Sequence, residues 1–167
     1  TTNNSREKAI IAILAYSGIR NKEFCSLKVQ DIDFDNGFIK IFSGKGNRDR
    51  IAYISRNCIR AISDYLRDYP RESDNFLTTT LVRNNRYAGG DLRKVVKVVA
   101  KRAKIKKRAY PHLMRHSLAC NLLSRGCALM TIQQVLGHLS LESTLIYAHS
   151  MPQKVQSEYQ FFCPQYV

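Results

Sequence analysis

The sequence lacks any apolar run that approaches the roughly 20 consecutive residues of a transmembrane helix, and its N-terminus lacks the apolar segment of a secretory signal. It also lacks the cysteine pattern of a disulfide framework, since its five cysteines are odd in number and include no C-x-x-C pair. We therefore expect a cytoplasmic protein without a membrane partner, whose thiols stay reduced and lie in or near the core.

Acidic residues are scarce in this chain. Its 13 Asp and Glu residues stand against 27 Lys and Arg, for a formal net charge of +14. Such an imbalance favours a polyanionic partner, and nucleic acid is the partner we expect. The hydrophobic content of 44% over 167 residues is sufficient for one domain with its own core.

The positive charge is concentrated between residues 83 and 108, where Asp91 is the only acid. Apolar residues at helical spacing, from Leu92 through Val96 to Ala103, predict a helix over 90–104 with one face in the core. We interpret the other face as a DNA-binding surface that contacts phosphates and carries little sequence information; a merely solubilising face is the alternative. The predicted DNA contacts are Arg83, Arg86, Arg93, Lys94, Lys97 and Lys101.

Residues 111–147 carry a pattern that suits attack on a phosphodiester. A proline at the start of this segment fits the first turn of a helix, so His112 and Arg115 would share one face near a helix N-terminus, an end that attracts phosphate. Gly137 is a suitable stop for a helix over 128–136, which leaves His138 in the turn that follows. Tyr147 would lie two turns along the next helix, and a phenol is a competent nucleophile once its proton is removed.

Two further cations precede this segment. Arg20 follows Gly18, the predicted end of an apolar helix over 5–16, and Glu23 lies one turn further on, where it can orient Arg20. Lys45 lies in a Gly/Asn-rich turn between two short apolar runs, which predicts a hairpin over 38–54. On spacing alone, Lys45 would be a solvated turn lysine.

Together these motifs resemble the catalytic domain of the tyrosine recombinases, the integrase and Xer class of site-specific DNA recombinases. The pattern comprises Gly18-Ile19-Arg20-x-x-Glu23, Gly44-Lys45-Gly46-Asn47, His112-x-x-Arg115-His116, Leu136-Gly137-His138 and Tyr147, in this order. The resemblance implies DNA cleavage and rejoining at a specific site, as in the integration or excision of mobile DNA, without metal or other cofactor. It also implies a homotetramer on double-stranded DNA.

The catalytic residues that the resemblance implies are Tyr147, Arg20, Lys45, His112, Arg115 and His138. Tyr147 would attack the scissile phosphate and form a 3′-phosphotyrosyl link, while Arg20 and Arg115 bind the phosphate oxygens. Lys45 would protonate the leaving 5′-oxygen, His112 would accept the tyrosine proton, and His138 would hydrogen-bond the phosphate. Glu23 would support this set, and His116 would make a structural hydrogen bond.

The predicted fold is α+β, mainly α-helical with a small antiparallel three-stranded sheet, as the tyrosine recombinase resemblance implies. We expect helices near 5–16, 21–28, 56–68, 90–104, 111–125, 128–136, 141–149 and 152–162, a sheet built on 38–54, and a short strand within 75–80. Residues 1–167 would form a single C-terminal catalytic domain, without the N-terminal core-binding domain of the family. Residues 151–167 would form a C-terminal helix and tail that docks on a neighbouring protomer.

Other interpretations stay open at this level. His112, His116 and Cys120 recur every four residues on one helical face, which also suits metal ligands, although no further ligand cluster lies nearby. Tyr147 alone would be an amphipathic-helix residue that buries its ring. At the level of function, the alternatives are a type IB topoisomerase-like enzyme that relaxes DNA without exchanging strands, and a DNA-binding accessory module without catalysis.

Overall fold

A computed structural model of the protein describes residues 4–42, 49–80 and 86–137. The described helices are α1 (Ser5–Ser17), α2 (Asn21–Ser26), α3 (Arg56–Asp68), α4 (Gly89–Arg102), α5 (Pro111–Ser124) and α6 (Leu129–Leu136). The strands are β1 (Ile32–Asp33), β2 (Phe38–Ile41) and β3 (Arg50–Tyr53), and a 3₁₀ turn covers Val29–Asp31. The predicted α+β class with a three-stranded antiparallel sheet is confirmed. No helix in these ranges is both long and apolar enough to cross a bilayer.

Helix α1 contributes several buried residues to the larger of the two hydrophobic clusters. Its N-terminus is capped by Asn4, whose side-chain oxygen accepts a hydrogen bond from the Glu7 backbone N–H. Its C-terminus is at Gly18, whose φ of 62° is the left-handed conformation that glycine adopts without strain. The buried face of α1 packs against α3. Both helices contribute buried residues to the same cluster, among them Ala9, Ile10, Ile13 and Leu14 of α1 and Cys58, Ile62 and Tyr65 of α3.

The three strands are adjacent in the order β1-β2-β3, and each pair is antiparallel. Ile39 of β2 lies between Ile32 of β1 and Ala52 of β3, and all three side chains are buried. The prediction of a strand within 75–80 was wrong, because these residues make only the isolated bridges Lys28↔Phe76 and Thr79↔Arg86. The third strand is β1, which is only two residues long and precedes a turn rich in Asp and Asn.

Helix α4 ends earlier than its apolar spacing predicts. Lys104 has a φ of 56°, and the Ile105 N–H bonds the Ala100 carbonyl, which is the closing hydrogen bond of a Schellman turn. Ala103 therefore lies beyond the helix and is exposed, so its predicted place in the core was wrong; Ala100 is buried instead. Helix α2 likewise ends at Ser26, two residues before its predicted end.

The chain divides into two compact units, Thr1–Leu118 and Ala119–Val167. The first contains the sheet and the cluster around α1 and α3. The second has a small cluster of its own, in which the buried residues are Ala119, Leu123, Ile132 and Leu136. Gly137 ends α6 with a φ of 63°, as its predicted role as a helix stop requires.

Candidate active site

Arg20, a predicted phosphate ligand, is the N-cap residue of α2. Its backbone N–H donates to Glu23 Oε2 at 2.7 Å, and its Nη1 donates to Glu23 Oε1 at 2.8 Å. The Arg20 side chain is 37% exposed, whereas the Glu23 side chain is 10% exposed. A largely buried carboxylate thus holds a guanidinium that still reaches solvent, and the orienting role of Glu23 stays a prediction.

Arg50, at the start of β3, is a second cation on this carboxylate, and it is not among the predicted site residues. Its Nη2 donates to Glu23 Oε2 at 2.9 Å, and its side chain is 10% exposed. Burial on its own would raise the pKa of the Glu23 carboxyl. The Arg20 backbone N–H and the Arg50 guanidinium favour the ionised form more strongly, and the net effect lowers that pKa below its ordinary value.

Arg115, the other predicted phosphate-binding arginine, lies on α5 and is 3% exposed. Its Nη1 donates a hydrogen bond to the carbonyl oxygen of Gly18. Gly18 lies in the turn that joins α1 to α2, two residues before Arg20. The two matched arginines, which are 95 residues apart in the sequence, therefore come from elements that meet at one turn.

Helix α5 begins at Pro111, as predicted, and the Tyr110 carbonyl accepts hydrogen bonds from the N–H groups of Leu113 and Met114. His112 is exposed in the first turn of the helix, and His116 is partly buried one turn further on. His112 precedes Arg115 by three residues and so shares its side of the helix. An exposed imidazole in this position is accessible to a proton donor such as a phenol.

Four predicted site residues lie outside the described residues. They are Lys45, Arg83, His138 and Tyr147. Of the predicted catalytic set, the structure describes Arg20, His112 and Arg115, and it also describes Glu23 and His116.

Helix α4 presents the predicted basic face. Arg93, Lys94, Lys97 and Lys101 are all exposed, while Leu92, Val96 and Ala100 on the opposite side are buried. A groove of about 370 Å³ lies between α4 and the segment that leads to α5. Its lining includes Lys97, Lys101, Ile105, Lys107, Arg108 and Tyr110. The groove is rich in cations, as expected of a surface that contacts phosphates.

Arg86 differs from the other predicted DNA contacts. Its Nε donates to the Cys25 carbonyl at 2.8 Å, and its Nη2 donates to the Ser26 hydroxyl. Its guanidinium also lies over the ring of Phe76, 5.6 Å from the centroid. The DNA contact stays a prediction for Arg86, but this side chain also holds the C-terminal end of α2.

The described cysteines are free thiols. Cys25 and Cys58 are buried, and desolvation raises the pKa of both, to about 12 for Cys58. Cys120 and Cys127 are partly buried. Within 4–42, 49–80 and 86–137, no three His, Cys, Asp or Glu side chains are grouped so that they could hold a metal ion.

Comparison with known sequences gives matches over most of the chain. The model of the phage integrase family matches residues 1–154. The tyrosine recombinase XerC of Thermodesulfovibrio yellowstonii is 38% identical over 151 residues, covering 86% of this chain and 50% of that protein. XerA of Pyrococcus furiosus, also a tyrosine recombinase, is 34% identical over 143 residues, covering 85% of this chain and 49% of that protein. The chain thus spans about half the length of the curated relatives it matches.

Solved structures match the fold over nearly its whole length. The crystal structure of XerA recombinase has a TM-score of 0.81 and 30% identity, covering 99% of this chain and 65% of that one. The XerH site-specific recombinase, in a post-cleavage complex with its palindromic difH substrate, has a TM-score of 0.76 and 25% identity. That match covers 95% of this chain and 46% of the other. Both likenesses concern the whole fold rather than one motif.

Proposed function

The chain belongs to the phage integrase family, and from this premise we propose that it carries out site-specific DNA recombination. In this proposal it cleaves and rejoins DNA strands through a 3′-phosphotyrosyl intermediate, without metal or other cofactor. Its substrate is double-stranded DNA, on which it works as a homotetramer. The similar XerH structure is bound to a DNA substrate, which supports this choice of partner.

The observation that carries the proposal is the junction of α1, α2 and α5. Arg115 of α5 donates to the carbonyl of Gly18, and Arg20 begins α2 two residues later with its guanidinium on Glu23. A phosphoryl group under attack spreads negative charge over its non-bridging oxygens, and fixed guanidinium groups stabilise that charge. Two arginines held by one turn are a suitable clamp for such a group.

In the proposed reaction, the phenol oxygen of Tyr147 attacks phosphorus, and the bond from phosphorus to the 5′-oxygen breaks. His112 accepts the phenol proton, and Lys45 gives a proton to the leaving oxygen. The remaining charge on the phosphate is stabilised by Arg20, Arg115 and His138. Rejoining is the reverse step with the 5′-hydroxyl of another strand, so the phosphotyrosyl link conserves the energy of the bond.

Covalent trapping tests this proposal. The chain is incubated with a pool of nicked duplexes of varied sequence, in EDTA, and a denaturing gel separates free protein from protein linked to DNA. We expect an adduct with the wild type and none with Tyr147→Phe. Tyr53→Phe is the matched control, because Tyr53 is a 59% exposed tyrosine on β3 without a proposed role. Sequencing the trapped DNA would identify the preferred site.

Two outcomes would contradict the proposal. An adduct that persists in Tyr147→Phe would mean that another group is the nucleophile. Salt-sensitive DNA binding without any adduct, also after fusion to the N-terminal part of a similar recombinase, would favour the accessory DNA-binding module instead.

A further inference from the structure

Among the described residues, Arg50 is the one partner of the Glu23 carboxylate that comes from outside α2 and its N-cap residue. It lies on β3, 27 residues away from Glu23 in the sequence, and its Nη2 is 2.9 Å from Glu23 Oε2. Both side chains are 10% exposed, so the pair is screened little by water. The contact therefore fixes α2 against the sheet at the carboxylate that also binds Arg20.

The Glu23 carboxylate connects the two arginines. Its Oε2 accepts from both the Arg20 backbone N–H and Arg50 Nη2, while its Oε1 accepts from Arg20 Nη1. The plane of a glutamate carboxylate rotates easily, because the last side-chain torsion has a broad, roughly two-fold profile. A donor on a separate element restricts that rotation, and it thereby fixes the direction in which Arg20 Nη1 is held.

We propose that Arg50 is a positioning residue for the reaction: it holds the Glu23 carboxylate so that the Arg20 guanidinium meets the scissile phosphate in a fixed orientation. This inference rests on the proposed function, because it takes Arg20 as a ligand of the phosphate. Arg50 itself touches no reacting atom in this scheme. It acts through its contact to the Glu23 carboxylate.

Stability alone is a weak explanation for the Arg50–Glu23 ion pair. The cost of removing two charges from water often cancels their attraction, so a buried ion pair is weak support for stability. Orientation is a different matter, since a displacement of about 1 Å at a reacting group can cost about 100-fold in rate. Glu23 contacts both the backbone and the side chain of Arg20, so a change in its orientation reaches the guanidinium directly.

The test compares Arg50→Gln, Arg50→Lys and Arg71→Gln in the full chain. Arg71 is the matched control, because this partly buried arginine also makes several hydrogen bonds, but to Tyr65, Phe76 and Thr79. The first measurement is the ¹⁵N–¹H signal of the Arg20 Nε–H group without DNA. The second is the rate of covalent adduct formation on nicked DNA.

We expect Arg50→Gln to shift or broaden the Arg20 signal and to slow adduct formation about 10- to 100-fold. Arg50→Lys keeps the charge but loses the planar fork, and it should recover part of the rate. Arg71→Gln should change neither the Arg20 signal nor the rate. In a Glu23→Gln background, Arg50→Gln should add less than about 2-fold, since Arg50 acts on Arg20 through the Glu23 carboxylate, which this background lacks.

An unchanged Arg20 signal in folded Arg50→Gln would overturn the inference, whatever the rate. If that variant does not fold, Arg50→Lys serves in its place, and an unchanged signal there has the same meaning. The proposed function fails separately, by the absence of an adduct in the wild type and in its fusion to the N-terminal part of a similar recombinase. In that case the Arg20 signal still decides whether Arg50 positions Arg20.

Discussion

At the scale of single residues, the Glu23 carboxylate bears on both the stability of the fold and the geometry of the candidate site. It accepts hydrogen bonds from two arginines, and its pKa in the folded chain is below the ordinary value of 4.5. A group whose pKa is depressed by folding stabilises the folded state fully above its unfolded pKa. This stabilisation is lost as the pH falls through the folded pKa.

We therefore expect Glu23→Gln to lower the free energy of unfolding by roughly 2 kcal/mol at pH 7. The difference between wild type and variant should shrink as the pH falls below 4.5, because the carboxyl is then protonated first in the unfolded chain and, at lower pH, also in the folded chain. Urea denaturation over a pH series measures both effects. Glu72→Gln is the control, since Glu72 is exposed and should change stability by no more than about 0.5 kcal/mol. A difference that stays constant down to pH 3 would contradict this account.

Arg86 is a predicted DNA contact whose guanidinium also makes hydrogen bonds within the fold. Its guanidinium donates to the Cys25 carbonyl and the Ser26 hydroxyl, so its loss leaves the end of α2 without these bonds. We expect Arg86→Gln to lower the free energy of unfolding by about 1–2 kcal/mol, measured by urea denaturation. Arg93→Gln, on the exposed face of α4, should leave that free energy within about 0.5 kcal/mol of the wild type. Equal stability of the two variants would mean that the Arg86 contacts contribute nothing.

At the scale of elements, α2 depends on its surroundings. A helix of six residues is too short to be stable alone, because helix nucleation is costly. Asn21 at its start donates to the Gly89 carbonyl of α4, Glu23 binds Arg50 of β3, and Arg86 binds its last turn. These contacts explain why a predicted site residue lies on so short a helix. They fix where α2 begins and ends.

The exposed basic face of helix α4 should determine how DNA binding depends on salt. Replacing two phosphate contacts in Arg93→Gln/Lys97→Gln should reduce the slope of log K against log salt by about 1.8. The control is Arg56→Gln/Arg60→Gln on α3, which removes the same charge from two exposed arginines outside the proposed face. Fluorescence anisotropy on duplex DNA at several salt concentrations measures the slopes. The same loss of slope in both variants would mean that net charge, not this face of α4, governs binding.

The sequence predicts those elements whose apolar spacing agrees with their caps. Asn4 and Gly18 bound α1, and Gly137 ends α6, so these helices lie where the pattern predicts them. No glycine indicates the end of α4, because Lys104 occupies the left-handed position that glycine usually holds. Strand β1 is too short for a period-two pattern to be read.

The sequence predicts those contacts of the candidate site that join residues close together in the chain. Arg20 and Glu23 are three residues apart, and their contact follows from helical spacing. Arg50 and Glu23 are 27 residues apart in the sequence, and Arg115 and Gly18 are 97 residues apart. Contacts of this kind depend on tertiary packing, which no pattern in a single sequence specifies. For this reason Arg50 was absent from the predicted site.

At the scale of the whole molecule, the two compact units have separate hydrophobic clusters. The cluster of the first unit has many buried members, including Ile10, Ile62 and Leu92. In the described part of the second unit only four residues are buried, so each carries a larger share of that core. The sequence range of the second unit contains the proposed His138 and Tyr147. Its local stability therefore bears directly on the proposed chemistry.

Leu136→Ala tests whether the small core unfolds by itself. Leu136 is fully buried, and its truncation should cost about 2–5 kcal/mol within its own cluster. We expect hydrogen exchange, followed by mass spectrometry, to lose protection over residues 119–136 while α1 and α3 keep theirs, because the two clusters share no residue. Met130→Ala is the control on the same helix, since Met130 is 59% exposed and should change exchange little. An equal loss of protection in α1 and α3 would mean that both clusters unfold as one cooperative unit, and the position of the proposed nucleophile would then depend on the stability of the whole chain.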